Sequence, residues 1–144
     1  MSDADLFKLY SQRILALAAD IPHSAPLAEP SHRATLRAPL CGSTVSVALR
    51  LEGERIAAFS QSVHACALGQ ASAAIFGAAV IGCTPAQVRA LCDGLAEMLR
   101  GGAVPGAPFA GYEVLVAARA YPNRHASILL APEATRDALA GHSD

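Results

Sequence analysis

Three short groups of residues in this chain carry donor atoms suited to a soft metal or to sulfur chemistry. They are Cys41-Gly42-Ser43, Cys66 at the head of an apolar small-residue run, and Arg124-His125-Ala126-Ser127. Thiolate and imidazole are the natural ligands of zinc and of iron–sulfur clusters. Pro39-Leu40-Cys41-Gly42 reads as a turn between two strand candidates, where a glycine lets the backbone approach a bound atom closely. Cys66 falls at a helix start, where unpaired N–H groups and the helix dipole favour a thiolate. Each cysteine taken singly also fits a buried turn residue. Together, in a chain without a disulfide framework, they make a metal or sulfur-transfer site, with that structural reading left open.

The other thiols and imidazoles read differently. Cys92 lies in the apolar stripe of a helix, as a small hydrophobe would, and Cys83 sits in the turn before a helix cap. His23, His32 and His142 occupy loop or tail sequence, and solvation accounts for them. His64 precedes Cys66 by two positions, so it either reaches the same place or faces solvent. A lone histidine such as His125 at a helix start is ordinarily a surface cap unless the fold carries the two cysteines to it.

The elements that must position these groups follow from periodicity. Ser2 and Asp5 resemble a capping box, and Leu6, Leu9, Ile14 and Leu17 predict a helix over 3–19, stopped by Pro22. Pro22, Pro26 and Pro30 mark a loop over 20–33. Val45, Val47, Leu49 and Leu51 alternate with Thr44, Ser46, Ala48 and Arg50, the period of a half-buried strand. Glu52-Gly53 turns the chain into a partner strand over 55–61, and 34–38 is a weaker third strand. A helix is expected over about 66–80, broken at Gly82. Thr84, Pro85 and Gln87 give a second helix a sharp start, its stripe is Val88, Leu91, Cys92, Leu95, Met98 and Leu99, and Gly101-Gly102 ends it. Residues 103–121 hold Pro105, Gly106, Pro108 and Gly111 and then an apolar stretch, Val114 to Ala118. A last helical region covers about 123–140, with Pro132 either kinking it or starting a second piece.

Bulk properties narrow the function. A chain of 144 residues is expected to be one domain over 1–144. A formal net charge of −1, with scattered arginines and one lysine (Lys8), argues against nucleic acid or anionic lipid as a partner. The run from Ala65 to Cys83 is too rich in Ala and Gly to insert in a bilayer. The acidic start, Met1-Ser2-Asp3-Ala4-Asp5, lacks the features of a signal peptide, so the expected location is cytoplasmic.

Taken in order, these segments resemble the iron–sulfur cluster scaffold family of the NifU/IscU type, closest to its SufU-like branch. The resemblance rests on an N-terminal helix with Leu9-Tyr10, a Pro-rich loop, and Pro39-Leu40-Cys41-Gly42 heading a valine-alternating strand. It continues through Cys66-Ala67-Leu68-Gly69-Gln70-Ala71-Ser72, Gly82-Cys83-Thr84, a SufU-like extra stretch at 101–121, and Arg124-His125-Ala126-Ser127-Ile128-Leu129. It spans about residues 4–140. It implies an α+β fold with a small antiparallel sheet of about three strands and helices on one face. In that family three cysteines, an aspartate two residues after the first, and in some members a histidine before the third surround the metal or cluster. Cys41 and Cys66 match the first two cysteines and His125 the histidine. Ser43 stands in place of the aspartate, Ala126 in place of the third cysteine, and Ala65 where a glycine usually precedes the second.

The resemblance thus implies that Cys41, Cys66 and His125 hold iron, a labile iron–sulfur cluster or zinc, with Ser43 or His64 as a further group. Two thiolates, one imidazole and an open position also describe a reactive zinc site. The chain is accordingly expected to be a cluster scaffold or carrier. The alternatives are a zinc-binding sulfur acceptor and a member that keeps the fold only for protein interaction. In the family the third cysteine is the expected sulfur receiver, and Ala126 counts against that role. The implied partners are a cysteine desulfurase and cluster-accepting apoproteins, with a second copy in a homo-oligomer as a further option. No enzymatic reaction of the chain's own is expected, beyond a role in sulfur transfer.

Overall fold

The computed structural model describes residues 12–40 and 42–141. The capping box at Ser2 and Asp5, Leu9-Tyr10, Cys41 and His142 therefore lie outside the described residues. The first helix, α1, is helical over 12–18 and leads into a long loop over 20–31. Three strands follow, β1 (His32–Arg37), β2 (Thr44–Glu52) and β3 (Arg55–His64), paired antiparallel in that order. Then come α2 (Ala67–Ala79), α3 (Pro85–Leu99), a 3-10 stretch Ala110–Ala120, a 3-10 turn Pro122–Arg124, and α4 (His125–Leu139). This is the α+β arrangement expected from the sequence.

Alternation decides which face of the sheet is covered. Val45, Val47 and Leu49 of β2 are buried with Ile56 and Phe59 of β3 and Ala34 of β1, because a strand sends every second side chain to the same face. Helix α4 lies against β1 and β2, and α2 and α3 pack on α4. Phe59, Phe76 and Phe109 join the layers. Phe76 stacks on Phe109 with centroids 5.7 Å apart and meets Phe59 edge-on at 5.8 Å. On the opposite face the Pro-rich loop is tied down by Ser60 Oγ–H to Ala25 O (2.6 Å) and Gln61 N–H to His23 O (2.9 Å). Among the described residues no helix is long and apolar enough to cross a membrane.

Local signals held where caps are strong. Thr84 and Gln87 form the reciprocal capping box, with Pro85 at the first helical position. The Gly82-Cys83 turn is pinned to the sheet, since Gly82 N–H donates to Ile56 O (2.8 Å) and Ile56 N–H donates to Cys83 O (2.9 Å). The apolar stretch at 114–118 winds as 3-10 helix and buries Tyr112, Leu115 and Ala118, residues three apart on one face.

Pro132 neither breaks α4 nor starts a second helix; it lies inside one continuous element. A proline there withdraws the N–H that would donate to the carbonyl of Ile128. Ser72 Oγ–H donates to Ile128 O instead, at 2.5 Å, from the neighbouring helix α2. The Tyr112 hydroxyl lies 3.0 Å from Ser72 Oγ and donates to Ser72 O at 3.0 Å. Ser72, Tyr112 and Ile128 are all fully buried, so these hydrogen bonds have no water to replace them.

Candidate metal centre

Sheet register gathers three chain ends at one edge of the molecule. Arg37 pairs with Thr44, and Thr44 pairs with His64. The turn between β1 and β2 therefore sits beside the exit of β3, which runs two residues on into Cys66. The ends of that turn are joined by Ala38 N–H to Ser43 O (2.8 Å) and Gly42 N–H to Ala38 O (2.9 Å). Gly42 has φ +74°, the left-handed conformation that favours glycine.

Cys66 is the N-cap residue of α2, half-buried, with extended backbone. Its sulfur lies 3.5 Å from Ser127 Oγ. Ser127 Oγ in turn lies 3.1 Å from Ser43 Oγ. Both serines are buried. Three segments far apart in sequence thus meet through one hydroxyl. The approach is tight. A Cβ at Gly69 would overlap Ser127 Oγ and come within 2.8 Å of Ala65 Cβ. Only glycine at position 69 lets the first turn of α4 close on α2.

Burial pushes the Cys66 thiol up, but the opposing groups outweigh it and hold the thiol below its ordinary value of 9.0. Those groups are the Ser127 hydroxyl, the backbone N–H groups of Gly69 and Leu68, and the charge of Arg124. All of them stabilise the thiolate, the form that binds metal or attacks sulfur. As the thiol, Cys66 S–H donates to Ser127 Oγ. As the thiolate it can only accept, and the Ser127 hydroxyl then donates to the sulfur with Ser43 Oγ beside it. The result is a neutral two-hydroxyl support for an anion.

His125 opens α4 and is half-buried. Its Nε2 lies 2.9 Å from Ala118 O, which can only accept, so Nε2 carries the proton. In the neutral ring that leaves the lone pair on Nδ1. A backbone carbonyl fixing the tautomer in this way is the usual setting of a metal-binding imidazole. Ala118 is itself held in place by its neighbour Arg119, whose guanidinium donates to Met98 O (2.6 Å) and to Gly102 O. Two residues on from His125, Ser127 touches Cys66.

The remaining candidates separate. His64 is exposed at the end of β3. Cys41 lies outside the described residues. Among the described residues no three His, Cys, Asp or Glu side chains gather as a metal-holding group. Cys92 is buried, and burial pushes its thiol up to about 12. Cys83 is also buried and raised, and its thiol donates to Ala79 O at 3.2 Å. Those two behave as core residues. Ser127 and Arg124, which have no metal-donor side chain to mark them in the sequence, are the residues of the His125 segment that act on Cys66.

Comparison with solved structures finds the same architecture. The chain is similar to a nitrogen-fixing NifU-like protein (N-terminal) from Brucella abortus, with 38% identity and a TM-score of 0.90 over 96% of each chain. It is similar in fold to a putative iron–sulfur cluster assembly scaffold protein for the SUF system from the thermophile Fervidobacterium islandicum. That match has 20% identity and a TM-score of 0.78, covering 92% of this chain and 97% of the other. A hypothetical protein of known structure is 26% identical, with a TM-score of 0.76 over 90% of this chain and 98% of its own. No family model and no curated protein matches the sequence.

Proposed function

The chain belongs to the NifU-like (N-terminal) family, and we propose on that premise that it is an iron–sulfur cluster assembly scaffold or carrier. Its cargo would be iron or a labile cluster, held by Cys41, Cys66 and His125. Ser43 would stand at the edge of the site as a neutral neighbour. The observation that carries the reading is the meeting of Ser43, Cys66 and Ser127, with Ser127 two residues from His125. The sheet register and Gly69 bring the beginning of β2, α2 and α4 to one point, and the thiol found there is held toward its thiolate form.

The donor set suits the cargo in kind. Cys66 supplies an activated thiolate, and His125 supplies Nδ1 in a fixed tautomer. Two thiolates and an imidazole are fewer anions than a three-cysteine site carries. Bound iron would be less fully offset and more readily given up, which fits a carrier that loads and unloads. The natural partners in that role are a cysteine desulfurase as the sulfur source and apoproteins that accept the cluster.

The test is anaerobic purification followed by metal and sulfide analysis and an absorption spectrum, before and after reconstitution with iron and sulfide. Iron and sulfide in equal amounts with visible charge-transfer bands are expected, and Cys66→Ala should lose them. Stoichiometric zinc with no visible band would replace the cluster reading with a zinc-binding sulfur acceptor. Failure to retain either metal would leave a protein that keeps the fold for interaction alone.

A further inference from the structure

The two edges of the sheet differ. At β3 the backbone is answered from outside the sheet: Gln61 N–H donates to His23 O, and Ile56 exchanges hydrogen bonds with the Gly82-Cys83 turn. The other edge is β1, which pairs on one side only, with β2. Its phase is fixed at the turn, where Ala38 N–H donates to Ser43 O. Hydrogen-bonded pairs alternate along an antiparallel ladder, so Leu36, Ala34 and His32 point their backbone groups at β2. Arg33, Thr35 and Arg37 therefore turn their N–H and C=O groups outward. Among the described residues no hydrogen bond reaches those groups. All three residues are exposed, and because Ala34 is buried, their side chains stand on the face away from the helices.

An open strand edge is a template for another strand, and the charges on this edge select which one. Arg33 and Arg37 lie roughly 13 Å apart, four residues at the rise of a strand. Neither belongs to an ion pair among the described residues. Glu29 of the Pro-rich loop is exposed and pairs with neither, and Glu52 and Glu54 lie away at the β2–β3 turn. On the same face the Pro-rich loop leaves a groove of about 520 Å³, walled by Pro26 and Pro30 over Thr35, Ser46 and Ser62. A side chain laid next to Thr35 finds hydroxyl partners there, since Thr35 Oγ1 and Ser46 Oγ are 2.9 Å apart. A second copy of β1 does not suit this edge. Antiparallel pairing about Thr35 would set Arg33 against Arg37 twice, and like charges directly opposite are destabilising. We infer that the β1 edge binds an acidic, extended segment of a partner protein as a fourth strand. The segment's backbone bonds the outward groups of Arg33, Thr35 and Arg37, and carboxylates at alternate positions answer the two guanidiniums. The Arg37 end of β1 leads into the Cys41 turn, so a partner docked here is held beside the proposed site. The inference stands on the strand edge and does not depend on the cargo.

A heptapeptide of alternating glutamate and valine, blocked at both ends, tests this beside the same peptide with lysine for glutamate. Each is titrated at low salt into isotope-labelled full-length protein, and the amide shifts are followed by NMR. The acidic peptide should move the amides of Arg33, Thr35 and Arg37. It should bind roughly tenfold more tightly than the basic one, the effect of two exposed charge pairs at a few-fold each. Arg33→Gln or Arg37→Gln should weaken it about two- to fivefold, and Arg33→Glu combined with Arg37→Glu should reverse the preference. Methylating the backbone nitrogens of one alternate set of peptide residues should abolish binding, and methylating the other set should spare it, because only one set faces the edge. Equal binding of the acidic and basic peptides, equal binding of the two methylated forms, or shifts that spare β1 or never develop would each overturn the inference. Self-association of the free protein that shifts these same amides would also overturn it, since a second copy would then be the occupant. No metal enters the readout, so each result leaves the scaffold reading to its own test.

Discussion

The contact between Ser72 and the Ile128 carbonyl yields a quantitative prediction, because Pro132 makes it necessary. In an ordinary helix the amide of residue 132 would donate to Ile128 O; proline cannot, and Ser72 Oγ–H does so from α2 at 2.5 Å. Ser72→Ala therefore leaves a fully buried carbonyl without that donor. An orphaned buried carbonyl costs about 1–3 kcal/mol. Taking about 2 kcal/mol, the melting temperature should fall by roughly 4–8 °C in a chain of this size. Pro132→Ala restores an N–H at position 132, and Ile128 O regains its helical partner. In that background Ser72→Ala should cost about 1 kcal/mol less, a coupling within the range expected for residues in one network. Urea unfolding followed by circular dichroism measures all four proteins, since the chain has no tryptophan to report by fluorescence. If Ser72→Ala costs the same in both backgrounds to within ~0.5 kcal/mol, the hydroxyl is not standing in for the missing amide. The consequence reaches the site, because Ile128 follows Ser127 directly, and whatever loosens its carbonyl loosens the hydroxyl that supports Cys66.

Two further variants probe the same geometry. Ser127→Ala removes the side-chain donor to Cys66, so its thiol should rise toward 9.0 and its alkylation by iodoacetamide near neutral pH should slow, as read by mass spectrometry. Cys83 and Cys92, raised by burial, should stay unlabelled throughout. Linkage fixes the sign of the pH effect. A thiol depressed in the folded state adds stability that is fully present above its unfolded value and is lost as pH falls through its folded one. The stability gap between wild type and Ser127→Ala should hence widen as pH rises toward 9.0 and narrow below the folded value; a gap independent of pH would show that Ser127 acts only by packing. Gly69→Ala should destabilise by about 1–3 kcal/mol through overpacking against Ser127 and Ala65. Its Cys66 should also be alkylated at an altered rate, and wild-type stability in denaturant would refute the tight approach.

Most of the fold was legible because its signals are local. The valine alternation in β2, the Thr84–Gln87 capping box and the stripe from Val88 to Leu99 each specify an element within a dozen residues. Strand ends were less so. The third strand begins at His32, two residues before its expected start, and β3 runs three residues past its expected end to His64. Pairing with β2 extends both. Pro132 was legible only as a defect, since the compensating Ser72 hydroxyl comes from a helix 60 positions earlier in the chain. The 3-10 winding of 110–120 depends on Tyr112, Leu115 and Ala118 finding the core, which no local pattern encodes.

The site shows the same division. Donor types at Cys66 and His125 are visible in the sequence, but what acts on them is tertiary. Ser127 sits one residue beyond Ala126, and its importance lies in reaching Cys66 and Ser43 at once. That arrangement gives the substitutions a joint physical meaning. An aspartate at position 43 would set a negative charge close to Ser127 and thereby oppose ionisation of Cys66. Ser43 offers a hydroxyl at the same place and adds no such opposition. With no thiolate at 126 either, Arg124 acts on Cys66 with no competing anion from its own helix turn. The two departures therefore work in one direction. They remove anionic donors from the site, and they leave Cys66 more readily ionised than a more acidic pocket would.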